Sequence, residues 1–151
     1  MRGMIGIIGA AVLAFAVGRI AWAEMWVDYA PSKEVWEVTQ VRVPPSKVDD
    51  YLKNLRRGFV PAEEVAKKNG TLLDYRILVN SHPGAAGATI LIMEQYANWN
   101  ALAPDKERDL NQRAELRKTV PKSEADKLTD ERDAYRTFVD AATYWGVQYG
   151  K

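Results

Sequence analysis

The chain has 151 residues, of which 21 are Lys or Arg and 20 are Asp or Glu, for a net charge of +1, with no cysteine and a single histidine, His82. That is the length of one domain. Near-neutrality excludes a strongly basic nucleic-acid binder, the missing cysteines exclude disulfides, thiolate catalysis and Cys-ligated metals, and one histidine excludes a multi-histidine metal site within the chain.

Residues 1–23 differ from the rest. Arg2 gives a positive start, residues 4–17 form a short apolar run, Arg19 closes it, and Ala21-Trp22-Ala23 places small side chains at −3 and −1 before Glu24. This is the build of a secretory signal peptide, with cleavage expected after Ala23. The competing reading is an uncleaved anchor. The apolar run is shorter than the roughly 20 residues a span needs, and lengthening it would bury Arg19 and Glu24. The expected destination is periplasmic or secreted, with membrane contact only through the leader. Loss of Arg2 and Arg19 turns the net charge from +1 to −1.

Residues 24–33, with Trp26, Tyr29 and Pro31, read as an extended arm or linker. Residues 34–150 read as a single domain. The run EVWEVTQVRV (34–43) is a strand ended by Pro44-Pro45. Ser46 with Asp49 has the capping-box spacing, and Val48, Tyr51, Leu52, Leu55 and Phe59 make one helical stripe. Gly58 weakens this helix, and Pro61 is expected to kink or break it. Asn69-Gly70 closes it, with Gly70 suited to a left-handed cap. This reading outweighs a glycosylation sequon at Asn69-Gly70-Thr71.

Residues 71–79 and 88–96 are two strands joined as a hairpin through the loop NSHPGAAG. Asn98 caps a short turn. Pro104 is placed to start a charged helix to about residue 119, anchored by Leu110, Ala114 and Leu116 and lying mostly in solvent. After Pro121, Ser123 and Asp126 repeat the capping spacing. Ala125, Leu128, Tyr135, Phe138, Val139 and Ala142 then suggest a helix over 123–142. The run TYWGVQY (143–149) has the propensity of a fourth strand.

Strand, helix, strand, strand, helical region, strand is the split βαβ order. The expected class is α+β: a ferredoxin-like fold with a four-stranded antiparallel sheet, helices on one face and an extra helical insertion before the last strand. The strand 35–43, the turn Pro44-Pro45-Ser46-Lys47, the helix start Val48-Asp49-Asp50-Tyr51-Leu52, and the hairpin from Leu73-Asp74-Tyr75 through Met93-Glu94-Gln95-Tyr96 together resemble the dimeric α+β barrel superfamily over residues 34–149. The resemblance implies two ferredoxin-like subunits joining their sheets. It also implies a setting shared by cofactor-light monooxygenases, haem-handling enzymes and isomerases. The charged stretch 104–142 departs from that pattern, and so does the absence of a haem-ligating histidine at a recognisable place. No catalytic residue is carried over.

Chemistry-bearing motifs are sparse. His82 lies in a Gly-rich loop with no G-x-S-x-G turn, and Gly84 and Gly87 lack the spacing of a phosphate loop. Asp49-Asp50 and Glu63-Glu64 are adjacent on a helix, so each pair diverges by about 100° and reads as a solvated face. Glu37, Asp74, Arg76 and Glu94 lie within strands and read as ladder ion pairs. No metal set and no cofactor motif is present. The candidate ligand-binding residues are Trp36, Tyr75, Arg76, Tyr96 and Trp99, with Trp145 nearby; they either line one pocket or pack as core. Two functions follow as expectations. The first is an exported homodimeric binding or structural protein, paired through the sheet, with an apolar small molecule as its possible ligand. The alternative is a cofactor-light monooxygenase or isomerase acting on an apolar or aromatic compound.

Overall fold

The computed structural model describes residues 23–84 and 87–149. The expected leader, except Ala23, lies outside the described residues, as do Ala85 and Ala86 of the Gly-rich loop. The elements in chain order are β1 (Tyr29–Arg42), a 3-10 turn (Pro45–Lys47), α1 (Val48–Lys68), β2 (Asp74–Val79), β3 (Ile90–Tyr96), a second 3-10 turn (Trp99–Leu102), α2 (Lys106–Thr119), α3 (Lys122–Asp133) and β4 (Thr137–Tyr149). The strands form one sheet in the order β2-β3-β1-β4, and every neighbouring pair is antiparallel. β3 lies between β1 and β2, so β1-α1-β2 is a split βαβ unit. The fold is ferredoxin-like α+β, with α2 and α3 as the insertion before the last strand.

β1 is the spine. Val38 faces Met93 on one side and Ala142 on the other, and Val41 faces Ile90 and Phe138. Alternation sends Val41, Ile90 and Ile92 under α1, where they pack on Tyr51 and Leu55, with Ile77 of β2 at the margin. Trp36, Val38, Leu78, Leu91, Met93 and Tyr144 fall on the opposite face.

Several expectations are corrected. The arm 24–33 is not a linker throughout, because its second half extends β1: Tyr29, Ala30 and Pro31 pair with Tyr149, Gln148 and Val147. The helix expected over 123–142 ends at Asp133, and Phe138, Val139 and Ala142 belong to β4. Their spacing imitates a helical stripe, but β1 is fourteen residues long and offers a ladder along its whole edge. The fourth strand therefore spans 137–149 rather than 143–149. β2 and β3 start at Asp74 and Ile90, a few residues later than the sequence suggests.

Ser46 caps nothing. It sits inside the first 3-10 turn, and α1 begins after Lys47 with no side-chain cap. Asp49 and Asp50 in the first turn, with Lys67 and Lys68 in the last, suit the helix dipole instead. Ser123 likewise caps nothing, because α3 begins one residue before it, at Lys122. α1 runs through Pro61 unbroken. One lost backbone bond is a small fraction of a 21-residue helix packed on both sides of the proline.

Gly58 is a contact point rather than a weakness. A β-carbon there would stand 3.1 Å from Leu128 Cδ1. The crossing of α1 and α3 is fixed by Asn54, whose Nδ2 donates to Leu128 O at 3.0 Å and whose Oδ1 accepts from Arg132 Nη1 at 2.8 Å. Gly70 has φ +73°, as its left-handed cap requires. The side chain of Asn98 accepts from Ala101 N at 3.2 Å, as its sequence position suggests. At α2 the cap is Asp105, whose Oδ1 accepts from Arg108 N at 2.9 Å, so Pro104 precedes the helix. α2 buries no residue, and Leu110 is exposed rather than an anchor.

Leu128 is fully buried at the α1–α3 crossing, while Leu110 faces water. Leu128→Ala should cost about 2–5 kcal/mol, and Leu110→Ala less than about 0.5 kcal/mol. Urea denaturation followed by circular dichroism measures both. Equal costs would mean that α3 is not docked on α1 as described.

Candidate functional site

The stripe of α1 does not stop at Phe59. One turn further along it reaches Glu63, which is 8% exposed. The carboxyl therefore lies on the packed side of the helix, beneath the sheet, and the expected solvated pair Glu63-Glu64 is corrected for its first member. Glu64 is exposed and accepts from the Tyr75 hydroxyl at 2.9 Å.

Glu94 of β3 alternates with Ile90 and Ile92 and so faces the same side. Across the ladder it stands opposite Glu37 of β1 and Tyr75 of β2. Glu37 and Glu94 are thus not an ion pair. They are like charges set opposite one another, an arrangement that destabilises a sheet unless a proton or a cation intervenes. Glu63 brings a proton to the Glu94 side of this pair. Burial, then the negative charge and hydrogen bond of Glu94, push the Glu63 carboxyl up to about 8. Near neutrality Glu63 is therefore the protonated partner and donates to Glu94. Burial also raises Glu94, while the Tyr96 hydroxyl, donating at 3.2 Å to its Oε1, favours its anion. Burial, followed by the nearby carboxylates, raises the Tyr96 phenol as well.

These groups open onto a cleft of about 370 Å³ between the sheet, α1, α2 and the second 3-10 turn. Ala62, Ala66 and Leu102 give it an apolar wall; Glu37, Glu63, Glu94 and Tyr96 make the polar floor. Arg108 stands at its mouth. Its guanidinium donates to Ala101 O at 3.2 Å and Ala103 O at 2.9 Å, and to Asp109 Oδ1 at 2.9 Å, tying α2 to the turn. Gln112 donates to Thr71 Oγ1 and closes the far side. Among the described residues no group of three or more His, Asp or Glu side chains is arranged to hold a metal ion.

The five candidate ligand residues do not meet at one place. Tyr96 lines the cleft just described. Tyr75 packs edge-on against Phe59, and its hydroxyl, pushed up to about 12 by burial and then by Glu64, lies outside the cleft lining. Trp36 and Arg76 lie on the opposite face of the sheet, with the guanidinium 5.4 Å from the indole centroid. Asp74 stands 3.7 Å from Arg76, an ion pair along β2 rather than across the ladder. Trp99 lies beside a separate groove of about 450 Å³, shared with Met25, Ser32, Lys33 and Trp145. His82 is on the exposed loop, its Nδ1 2.9 Å from Ser81 Oγ.

Sequence reasoning missed the carboxyls. The signal was present: Glu63 falls four residues after Phe59 on the apolar stripe, and Glu94 shares the face of Ile90 and Ile92.

No family model and no curated protein sequence matches the chain. Solved structures similar to it include HapK from Hahella chejuensis, 8% identical, covering 78% of this chain and 96% of that one, with a TM-score of 0.46. A conserved protein of unknown function and possible oxidoreductase from Bacteroides thetaiotaomicron is 12% identical, covers 76% and 99%, and has a TM-score of 0.44. A dimeric protein of unknown function and ferredoxin-like fold from Bacteroides fragilis is 11% identical, covers 80% and 99%, and has a TM-score of 0.40. Likeness at this level assigns no residue a role. The fold rests on the strand order above, and the site on its own geometry.

A carboxyl whose folded value lies above its unfolded one binds extra protons in the folded state. The stabilisation from Glu63 is complete below pH 4.5 and is lost as pH rises toward about 8. The melting temperature should therefore fall by about 5 °C or more between pH 5 and pH 8.5. Glu63→Gln, which keeps a donor toward Glu94, should flatten that dependence and melt above the wild type at pH 8.5. Parallel slopes for the two proteins in calorimetric scans would remove Glu63 as the titrating group.

Proposed function

We propose that the protein is an exported homodimeric binding protein that holds a small molecule in the Glu63–Glu94 cleft. The observation that carries this reading is the burial of Glu63 against a second carboxyl, on the helix face that also carries Tyr51, Leu55 and Phe59. A valine or leucine there would pack more cheaply, since burying polar groups costs free energy that a structural role does not require. Perturbed carboxyls gathered at a cleft are a common mark of a functional site. The floor offers acceptors at Glu37, Glu94 and Tyr96, and the wall offers Ala62 and Leu102. The ligand that suits it is small, with an apolar side and with hydrogen-bond donors or a positive charge toward the sheet. It is more polar than the apolar compound expected from the aromatic residues alone.

The homodimer reading is supported by the uncovered sheet face. Nor is the N-terminal segment packed away as a cover, since Trp26 is 72% and Val27 71% exposed. Leu78 and Tyr144 remain about half exposed on the same face. Soluble monomers seldom leave such a patch to water, and a second copy burying about 800 Å² per subunit would cover it. Export is supported by the leader composition. Among the described residues no helix is long and apolar enough to cross a membrane.

A second reading has one specific observation in its favour. A carboxyl near pH 8 beside an ionised one is placed to give and take a proton near neutrality, as an isomerase requires. The two readings separate in one experiment. The protein is titrated with a panel of small primary amines and hydroxylated amines, followed by NMR shifts of the residues around the cleft, and then incubated with weak carbon acids in D2O. Binding that falls at least tenfold in Glu63→Gln, without deuterium uptake, fits the binding protein. Uptake that Glu63→Gln abolishes fits the isomerase. Shifts confined to residues outside the cleft would end both.

The dimer has its own test. Light scattering should give twice the chain mass at micromolar concentration. Met93→Lys should give one chain mass with an unchanged far-ultraviolet circular dichroism spectrum. A wild type of one chain mass would sink the pairing.

A further inference from the structure

Among the described residues the chain begins in a tight turn. Val27 N and Asp28 N both donate to Glu24 O, at 3.2 and 2.8 Å, and Trp26 N donates to Tyr29 O at 2.6 Å. A bridge joins Met25 to Tyr29, the first residue of β1. Trp26 has φ +71°, a left-handed conformation that a bulky side chain adopts only where its surroundings impose it. Its indole is mostly exposed and supplies little packing to that end. The remaining fastening is polar and lies at Glu24, whose nitrogen donates to Asp28 Oδ2 at 2.7 Å.

Glu24 is the residue that follows the expected cleavage point. We infer that cleavage after Ala23 turns this contact into a salt bridge between the new α-ammonium of Glu24 and the Asp28 carboxylate, and that the pair closes the N-terminal turn on itself at the start of β1. This rests on the leader reading. Hydrolysis adds one water across the Ala23–Glu24 bond: Ala23 leaves with a carboxylate, and Glu24 keeps the nitrogen, which takes up a proton. A neutral amide with one N–H becomes a cation with three, already at hydrogen-bond distance from its counter-charge. Charge-assisted hydrogen bonds are roughly twice as strong as neutral ones. The turn is already hydrogen-bonded in the full chain and tightens on release.

The consequence reaches the second groove. Met25 is one wall of the space beside Trp99 and Trp145, and the opposite side is fixed by Ser32, whose Oγ accepts from Gly146 N at 2.9 Å and donates to Glu34 O at 2.7 Å. With the turn fastened, Met25 is held over that groove. With the turn loose, both indoles are opened further to water.

The test expresses the full gene in an exporting bacterium, purifies the released protein and determines its N-terminus. A terminus at Glu24 is expected; any other terminus overturns both the leader reading and this inference. Amide exchange of Trp26 and Asp28 is then compared in four samples: wild type, Asp28→Asn, wild type selectively acetylated on the α-amine, and the acetylated variant. Each single change should speed exchange about threefold, and the two together should add little to either, because both remove the same pair. Exchange unchanged by either step, or effects that multiply, would overturn the salt bridge while leaving the cleavage reading standing.

Discussion

β1 pairs with β3 along one edge and β4 along the other, and its two faces set two different problems. Toward the helices it carries Val35, Glu37, Thr39 and Val41; toward the other side it carries Trp36 and Val38. Of the first set, Val41 joins Ile90 and Ile92 in the core under α1, and Val35 is likewise buried. Glu37 cannot join them. Antiparallel pairing places it directly opposite Glu94, and the same geometry that builds the core therefore brings two carboxyls together at its edge.

The fold answers with a third carboxyl rather than a cation. Arg108 is near the cleft but is committed to two carbonyls and to Asp109. Lys67 is drawn to Asp74 at 3.3 Å and to the face of the Tyr75 ring at 5.4 Å. Glu63 arrives from α1 and holds its proton, because burial and the charge of Glu94 both oppose its ionisation. A neutral acid donating to an ionised one satisfies both groups without importing charge. Proton exchange between them, or displacement of the proton by a donor on a ligand, is the chemistry this end of the sheet can perform.

Much of the architecture was legible in the sequence, and the misreadings have physical causes. β1, the β2–β3 hairpin, α1 and the Gly70 cap follow from period and turn chemistry. Phe138, Val139 and Ala142 misled because apolar residues one, three and four apart suit either a helix or an exposed edge strand; the pairing partner decides, and that partner is a hundred residues away. Ser46 has the spacing of a cap, but Pro44-Pro45 had already turned the chain into a 3-10 segment. At the site, the aromatic residues drew attention because they are large, yet alternation divides them: Trp36 goes to one face, Tyr75 and Tyr96 to the other. Glu63 and Glu94 looked bland as neighbours of Glu64 and Gln95. They carry meaning only when each is read with the residues on its own face.

The uncovered face and the cleft are linked by the thickness of one sheet. Trp36 lies between Val35 and Glu37 on β1, so its position is tied to that of the carboxyl floor. Arg76, over the Trp36 ring, follows Tyr75, which stands opposite Glu94 across β2 and β3. A second copy packed on this face would fix Trp36 and Arg76, and through the strand registers it would limit how far Glu37 and Glu94 can separate. Burial, and then the charge of Glu94, hold the proton on Glu63.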